Sequence, residues 1–361
     1  MLLDRRTFAA GSAALLSGCA TVGTRQLAAC TPLPPVLVDE SRVIRTMAGL
    51  RPYRRTGFVV RAEPLGTKRL VHNYGHGGSG ITMSWGTSRL AIELGLQGHS
   101  GPVAVLGSGV VGLSTARLVQ EAGFPVTIYA AALPPDTTSN VAGGQFHPFG
   151  LFRDDLVTPE FRAQFARALD YSWRRFQIMV GDDYGIRWLP TYVEADSPEY
   201  KTIAHFPPVN RVLTPSEHPF PLEKVTVYDT MYVEVGRYLR QMMRDVHIGG
   251  GKIEVRQFAT PADIAALPEA LAFNCTGLGS RDLFGDQELE PRRGQLAILE
   301  PQPNVRYAVQ GAFGYMFPRP DGVLLGGTFE RDVWDTNPDP ARILRIVASH
   351  KRFFDGFRCT A

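Results

Sequence analysis

The pattern G-x-G-x-x-G over residues 107–112 is the feature of this sequence whose spacing points most directly to chemistry. It follows the apolar run 103–106 without a gap, opens an amphipathic stretch at 113–122 and precedes a second strand-like run at 126–129. A strand, a glycine turn, a helix and a second strand in this order form a unit that binds dinucleotides, with the phosphates at the N-terminus of the helix. The sequence therefore predicts a dinucleotide site in an α/β domain.

Each glycine of the pattern has its own role in such a site. Gly107 permits the tight turn, Gly109 lets the backbone approach a pyrophosphate, and Gly112 lets the helix pack closely on the strand. The carboxylate that holds the adenosine ribose is missing from the end of the second strand, where Ala131 stands, and we expect Asp136 to lie too far along the chain. The pattern alone therefore leaves FAD and NAD open.

Three further segments are dense in glycine and small polar residues, namely 71–82, 137–144 and 273–279. We expect the first to be a loop that leads into a helix through Trp85. Backbone N–H groups of such segments can press against an anion or a ring, because glycine has no Cβ to hold them away. Together these segments predict a long cofactor groove.

These segments and three others resemble motifs of the D-amino-acid oxidase and D-aspartate oxidase family. The motifs are GLRP at 49–52, HNYGHGG at 72–78, TTSNVAGG at 137–144, NCTG at 274–277, PRRGQ at 291–295 and the stretch 314–329. The resemblance implies FAD as the cofactor. It also implies an α/β fold in which a Rossmann-like FAD-binding domain is interleaved with an antiparallel-sheet substrate-binding domain.

By this resemblance, three residues contact the substrate. Arg51 is expected to anchor its carboxylate with a bidentate guanidinium, Tyr315 to hydrogen-bond the same carboxylate, and the backbone C=O of Gly78 to receive its amine. The flavin takes the hydride, so no acid–base residue is required if the amine arrives neutral. The residues expected to hold the flavin are Gly77, Gly78, Ser79, Gly80, Ile81, Thr82, Gly107, Gly109, Val110, Val111, Gly112, Thr137, Thr138, Ser139, Gly143, Gly144, Val255, Cys275, Thr276 and Gly277.

The order of the motifs differs from that of the family. Residues 49–96, which match its C-terminal part, here precede the glycine pattern that lies near its N-terminus. The resemblance therefore implies a circular permutation, with the former ends joined through residues 95–102 and one new end after a helix predicted at 341–354. Cys30 and Cys359 flank the new ends, and outside the cytoplasm they could form a disulfide.

Two departures from the family bear on the site. A second family tyrosine would fall at Gly311, and the segment between Gln295 and Tyr315 is short, so we expect a smaller or absent lid. Ala131 in place of the ribose carboxylate predicts weaker FAD binding or reliance on other contacts. Arg319 lies near enough in sequence to the expected substrate site that an acidic substrate is not excluded.

Composition and spacing exclude several other classes. Lys and Arg number 38 against 35 Asp and Glu, a net charge of +3 without a basic block, so we expect no nucleic-acid partner. Four cysteines are too few for a disulfide scaffold. His72 and His76 have the i,i+4 spacing of two metal ligands on a helix, but the surrounding glycines favour a loop, so no metal is predicted.

The first 20 residues resemble an export signal. Arg5 and Arg6 precede a short apolar stretch at 8–16, as in a twin-arginine signal, and the sequence Leu-Ser-Gly-Cys ending at Cys19 resembles a lipoprotein box. The stretch is too short to span a bilayer. We therefore expect a periplasmic or cell-envelope protein held at the membrane surface by a lipid on Cys19.

These inferences divide the chain into four parts: an export signal at 1–18, a linker at 19–44, an FAD-binding domain at 45–150 with 251–291, and a substrate domain at 151–250 with 292–361. The main interpretation is an FAD-dependent D-amino-acid oxidase that uses molecular oxygen and yields a 2-oxo acid, ammonia and hydrogen peroxide. The alternatives are a membrane-associated D-amino-acid dehydrogenase that passes electrons to a quinone, a non-catalytic flavin- or nucleotide-binding protein, and a nicotinamide-dependent dehydrogenase.

Overall fold

The computed structural model describes residue 30, residues 32–195 and residues 207–359. The predicted export signal, Cys19 and the first part of the predicted linker lie outside the described residues. Among the residues that are described, no helix is both long enough and apolar enough to cross a membrane.

The strands are, in chain order, β1 Val43–Tyr53, β2 Val59–Leu65, β3 Lys68–Tyr74, β4 Val103–Leu106, β5 Val126–Ala130, β6 Ile186–Val193, β7 Arg211–Leu213, β8 Val225–Val233, β9 Lys252–Val255, β10 Leu271–Asn274, β11 Glu290–Leu299, β12 Ala308–Gly311, β13 Gly314–Arg319, β14 Gly322–Gly326 and β15 Glu330–Arg331. The α-helices are α1 Gly80–Gly95, α2 Val110–Glu121, α3 Pro159–Ile178, α4 Val235–Ile248, α5 Pro261–Ala265, α6 Ser280–Phe284 and α7 Pro340–Asp355. Short 3-10 turns lie at Glu40–Arg42, Gly77–Ser79, Thr138–Val141 and Gly277–Gly279.

The smaller sheet contains the predicted strand–helix–strand unit. Its strand order in the described residues is β2-β3-β10-β4-β5-β9, and all neighbours from β3 to β9 are parallel. Val103 and Val105 of β4 pack on the side of α1 and α2, whereas Ala104 and Leu106 pack on the side of α5. Both faces of the strand are buried, which explains the unbroken apolar run in the sequence. The predicted strand, helix and second strand are confirmed as β4, α2 and β5.

The larger sheet is mainly antiparallel. Its strand order is β1-β11-β14-β13-β12-β6-β8-β7, with β15 paired to β11, and only the β12–β6 pair among these is parallel. The apolar side chains of β11 alternate between two clusters, so α7 covers one face of the sheet and the other face turns towards the smaller sheet. Helix α7 confirms the helix predicted near the end of the chain. Asp339 caps its N-terminus and Pro340 occupies its first turn.

Two segment boundaries differ from those expected from the sequence. Residues 32–44 were expected to be linker, but Val36 and Val38 are buried in the core between the larger sheet and α7. Strand β1 was expected in the FAD-binding part, yet it pairs along its length with β11 of the larger sheet. Apolar residues separated by prolines can pack as extended backbone, and composition alone does not reveal this.

Fewer residues of the segment 71–82 lie in a loop than its composition indicates. Strand β3 continues through Tyr74 and α1 begins at Gly80, so only residues 75–79 connect them. Polar residues near the end of β3, such as His72 and Asn73, are buried in this strand. The helix expected through Trp85 is confirmed as α1.

A disulfide joins Cys30 to Cys359, as the permutation hypothesis anticipated. The N–H of Cys30 donates to the carbonyl of Ser216, at 2.6 Å, and the N–H of Arg358 donates to the carbonyl of Pro219, at 2.8 Å. Both cysteines are therefore anchored on the same loop, in addition to their bond to each other.

Candidate active site

A cavity of about 1090 Å³ lies between the two sheets. Its first wall consists of the segments that follow β3, β10, β4, β5 and β9, and its second wall includes Gln310, Tyr315 and Phe317 of the larger sheet. Ligands of open α/β sheets bind beyond the carboxyl ends of the parallel strands. The cavity therefore has the position expected of a dinucleotide site.

The turn after β4 is possible only with glycine at two positions. Gly107 has φ +105°, and a Cβ there would lie 2.6 Å from the carbonyl oxygen of Cys275. A Cβ on Gly112 would lie 2.0 Å from the carbonyl oxygen of Gly107. The structure thus supports the tight turn and the close helix–strand contact predicted from the spacing.

The N-terminus of α2 faces the cavity. Gly109, Val110 and Val111 line it, and Gly109 supplies no side chain to cap the helix. The Val110 N–H donates to Ser139 Oγ, at 3.0 Å, which connects the glycine turn to the TTSNVAGG segment. Helix N–H groups and bare glycine backbone form a surface that suits a pyrophosphate.

Most of the predicted cofactor residues meet at this cavity. Those that line it are Gly77, Gly78, Gly80, Ile81, Gly107, Gly109, Val110, Val111, Thr137, Thr138, Ser139, Gly143, Gly144, Cys275, Thr276 and Gly277. Ser79, Thr82, Gly112 and Val255 are absent from its lining.

Ser79 and Thr82 hold a neighbouring loop instead. Ser79 Oγ donates to the carbonyl of Phe149, at 2.7 Å. Thr82 Oγ1 accepts from the N–H of His147, at 2.9 Å, and donates to its carbonyl, at 3.2 Å. These two hydroxyls position His147 and Phe149, which line the cavity and which the sequence did not single out.

The end of the cavity beyond β5 and β9 differs from expectation at two residues. The side chain of Val255 is 70% exposed, and residues 256–259 line the cavity in its place. Asp136, expected to lie too far along the chain, lines the cavity together with Ala131. The loop 131–136 therefore brings Asp136 back to the cavity lining, on the same loop as Ala131.

Cys275 is buried beside Thr115, with 3.5 Å between Sγ and Oγ1. Burial raises the pKa of the Cys275 thiol to about 12. A thiol in this state is a poor nucleophile, since the thiolate is the reactive form. Cys275 is inert, as expected, and contributes to the wall by packing.

The three residues expected to contact the substrate are brought together at the other end of the cavity. The Arg51 guanidinium lies against Gly294 and over the ring of Phe329, with Cζ 4.5 Å from the ring centroid. Its Nη1 donates to the carbonyl of Thr328, at 3.2 Å. A Cβ placed on Gly78 would lie 3.6 Å from Arg51 Cδ, so Gly78 is a direct neighbour.

Tyr315 lies beside Arg51 and is tightly enclosed. A Cβ placed on Gly326 would lie 2.2 Å from its ring, so this glycine is required for the ring to fit. Burial raises the pKa of the Tyr315 phenol, and the positive charge of Arg51 opposes part of this rise. The phenol is therefore protonated at neutral pH, and its O–H remains available as a donor to a carboxylate.

The region expected to contain a reduced lid is a β-hairpin. Strands β12 and β13 are joined through Ala312 and Phe313, and Gly311 ends β12 at the cavity wall. The Phe313 ring stacks on Phe353 of α7, with centroids 3.7 Å apart. The hairpin tip is therefore attached to the core and leaves no separate lid segment between Gln295 and Tyr315.

A network of uncharged polar side chains forms the wall beside Tyr315. Gln310 Nε2 donates to Gln145 Oε1, at 3.0 Å, and Gln145 Nε2 donates to the Tyr232 hydroxyl, at 2.9 Å. Gln145 and Gln310 both line the cavity. One signal for this wall is visible in the sequence, because Gln145 directly follows the TTSNVAGG segment.

Arg319 is not part of this wall. Its guanidinium hydrogen-bonds Asp321, with Nε 2.7 Å from Oδ1, and it does not line the cavity. Among the described residues, the histidines that line this end are His76 and His147. Burial lowers the pKa of the His76 imidazole to about 3 and that of His147 to about 4, so both are neutral.

The two histidines considered as metal ligands have separate partners. His72 Nδ1 accepts from Asn274 Nδ2, at 2.9 Å, and its Nε2 lies 3.0 Å from Glu63 Oε1. His76 Nε2 shares a hydrogen bond with Thr87 Oγ1, at 2.9 Å. The described residues contain no cluster of His, Cys, Asp and Glu that could hold a metal ion.

The fold and this groove define a dinucleotide-binding protein, and comparison with known proteins specifies its family. The chain belongs to the FAD dependent oxidoreductase family DAO, whose sequence profile matches residues 24–94 and 102–360. FAD is therefore its cofactor, and the residues present fit it: a helix N-terminus faces the cavity, and glycines that a Cβ would block line it.

Individual relatives and a solved structure agree with this family. The chain is 30% identical to D-amino-acid oxidase of Streptomyces coelicolor over 282 residues, which cover 73% of this chain and 82% of the relative. It is 29% identical to D-aspartate oxidase of Homo sapiens over 261 residues, 68% of this chain and 74% of the relative. The structure of glycine oxidase from Geobacillus kaustophilus matches with a TM-score of 0.55 at 15% identity, over 73% of this chain and 81% of that chain.

Proposed function

We propose that the protein is an oxidase of D-amino acids that passes electrons to molecular oxygen. The observation that carries this proposal is the meeting of Arg51, Tyr315 and Gly78 at one end of the glycine-lined groove. Relatives named D-amino-acid oxidase and D-aspartate oxidase support the same class of substrate.

Arg51 and Tyr315 bind the substrate carboxylate. The guanidinium offers N–H donors in a planar fork, and its carbonyl partner Thr328 and the ring of Phe329 fix its orientation. The Tyr315 O–H supplies another donor to the same carboxylate. The backbone C=O of Gly78 accepts from the amine, which orients Cα and fixes which enantiomer presents its hydrogen to the groove.

The glycine-lined groove would hold FAD, and the chemistry supplied there would be acceptance of the hydride from Cα and transfer of the two electrons to oxygen, which yields hydrogen peroxide. The resulting imino acid hydrolyses to a 2-oxo acid and ammonia. The surrounding residues serve this reaction by being uncharged: His76 and His147 are neutral, and Gln145 and Gln310 are amides. Arg51 is then the charged group that selects the carboxylate.

The test uses the purified full chain and its visible spectrum. D- and L-enantiomers are added without air, and oxygen is then admitted. We expect a flavin band that bleaches with D-enantiomers only and returns on aeration with formation of peroxide. Slow return in air and rapid return with a quinone would replace the oxidase by the dehydrogenase alternative, and bound FAD that no amino acid reduces would favour a non-catalytic flavoprotein.

We also propose that the chain is a circular permutation of the family order. Two observations support it: the family profile matches in two segments separated at residues 95–101, and these residues join α1 to β4 at the surface. A variant that reconnects the chain through the Cys30–Cys359 junction and opens it within 95–101 is expected to bind FAD. Loss of folding in that variant would argue against permutation.

A location outside the cytoplasm is proposed on the sequence of the first 20 residues and on the Cys30–Cys359 disulfide, since such bonds persist in oxidising compartments. Replacement of Arg5 and Arg6 by lysine is expected to leave the protein in the cytoplasm. Replacement of Cys19 by alanine is expected to release it from the membrane fraction. Cell fractionation measures both outcomes, and unchanged distributions would contradict export and lipid attachment, respectively.

A further inference from the structure

A second cavity, of about 520 Å³, adjoins the substrate end of the first. The two cavities share Arg51, Gly78, Phe149 and Phe329 as walls. Arg51 therefore has one side towards the groove and another towards this second cavity.

The partition between the cavities is thin. The rings of Phe149 and Phe329 meet edge to face, with centroids 5.7 Å apart, and each side chain is 56% exposed. Phe329 packs against the Arg51 guanidinium, so Phe149 is the ring whose change of rotamer would join the two spaces without unpacking a sheet.

The second cavity has an excess of positive charge. Five arginines line it against two carboxylates, Glu290 and Asp332. Arg292 hydrogen-bonds Glu290, and Arg153 pairs with Asp155 outside the lining. Arg55 and Arg331, by contrast, have no ion pair with any residue that the structure describes.

A substrate needs a path to Arg51 on the side of the second cavity. The glycine loops of the groove are the part of the first cavity suited to FAD, so a substrate has to reach Arg51 from the opposite side, where Phe149 and Phe329 lie. A cleft lined by charges of one sign concentrates ligands of the opposite sign. The path of the substrate to Arg51 and the excess of positive charge therefore lie in the same cavity.

We propose that the second cavity is the antechamber through which the substrate reaches Arg51, and that Arg55 and Arg331 make it select D-amino acids with a second carboxylate. This inference rests on the proposed function. A dicarboxylic D-amino acid has a net charge of about −1 at neutral pH, whereas D-alanine is a neutral zwitterion. The selection acts on capture, so it appears in kcat/KM and depends on salt.

The test compares kcat/KM for D-aspartate with that for D-alanine, in the wild type and in the double variant Arg55→Gln/Arg331→Gln. The control is Arg240→Gln/Arg345→Gln, which removes the same charge from exposed positions outside both cavities. We expect the D-aspartate to D-alanine ratio to fall about tenfold in the first variant at low salt and to stay constant in the control.

The wild type gives an independent measurement. Raising NaCl from 0.01 M to 1 M shortens the screening length from about 30 Å to about 3 Å, which should lower the same ratio about tenfold. A ratio insensitive to salt, a ratio equal in variant and wild type, or a wild type that oxidises D-alanine but not D-aspartate would each overturn the antechamber. Failure of every D-amino acid to reduce the wild-type flavin would instead refute the proposed function.

Discussion

Gly294→Ala is a substitution that should damage the site and leave the fold intact. Gly294 lies in β11 directly beneath the Arg51 side chain. An added Cβ would lie 2.4 to 2.6 Å from Nη2, Nη1 and Cζ of Arg51. Because non-bonded carbon and nitrogen atoms repel each other at separations well below about 3.5 Å, the guanidinium has to move by about 1 Å.

The expected loss of kcat/KM in Gly294→Ala depends on which atoms can move to relieve the collision. The atoms in collision are the far end of a flexible side chain, so the backbone of β11 can stay in place. A displacement of about 1 Å in a group that positions the substrate costs about 100-fold in kcat/KM, or about 2.7 kcal/mol. The unfolding free energy should remain within about 1 kcal/mol of the wild type, since replacing glycine by alanine also restricts the unfolded chain.

The assay combines kcat/KM for a D-amino acid with thermal unfolding of the FAD-bound protein. Gly236→Ala in α4 is the matched control, because the nearest atom to its added Cβ is Arg240 Nη1 at 3.5 Å. A Gly294→Ala variant with kcat/KM within threefold of the wild type would show that Arg51 does not anchor the carboxylate. A large fall in Tm would show that the collision is not relieved by movement of Arg51.

Tyr315→Phe should raise KM for a D-amino acid about tenfold, because it removes a hydrogen bond to a charged group, and should leave the FAD dissociation constant unchanged; an unaltered KM would remove Tyr315 from the site. Asp136→Asn should weaken FAD binding about fivefold to tenfold in a fluorescence titration if this carboxylate holds the ribose hydroxyls, and an equal affinity would contradict that role. Burial lowers the pKa of His76 to about 3, so the unfolded chain binds a proton that the folded protein does not. The stability linked to His76 is therefore complete above about pH 6.5 and falls by about 1.4 kcal/mol per pH unit below it, and His76→Gln should flatten this slope in urea unfolding between pH 6.5 and 4.5. A reductant should lower the Tm of the wild type but not of Cys30→Ser/Cys359→Ser. The free energy of unfolding lost on reduction should not exceed about 5 kcal/mol for this disulfide, whose cysteines have a sequence separation of 329. Equal sensitivity of the two proteins to the reductant would show that the bond does not form.

Features encoded in short stretches of chain could be predicted from the sequence. The turn at Gly107 and the contact at Gly112 follow from backbone geometry that only glycine adopts, and β4 follows from an unbroken apolar run. Arg51 and Tyr315 were identified through their motifs, and both lie at the cavity. In each case the information is local to a few residues.

Features that depend on contacts between distant residues could not be predicted. The pairing of Gln145 with Gln310 requires the sheet to bring together residues 165 positions apart. Whether Arg319 faces a substrate depends on Asp321, two residues away but across a turn. The loop 131–136 turns, with the Asp136 N–H donating to the carbonyl of Leu133 at 2.8 Å, and a count of positions along the chain does not reveal that Asp136 returns to the cavity.

The Cys30–Cys359 bond also determines how the molecule responds to tension. A force applied to the chain on either side of this pair passes through the bond and the few residues next to it, so the two sheets are not in the load path. In a single-molecule stretching experiment the interval between Cys30 and Cys359 of the oxidised protein should yield no length before rupture of the attachment. Reduction should place the whole interval of 329 residues under load and release about 1,100 Å of chain. Mechanical resistance of this enzyme would then be a property of its redox state rather than of its hydrophobic cores.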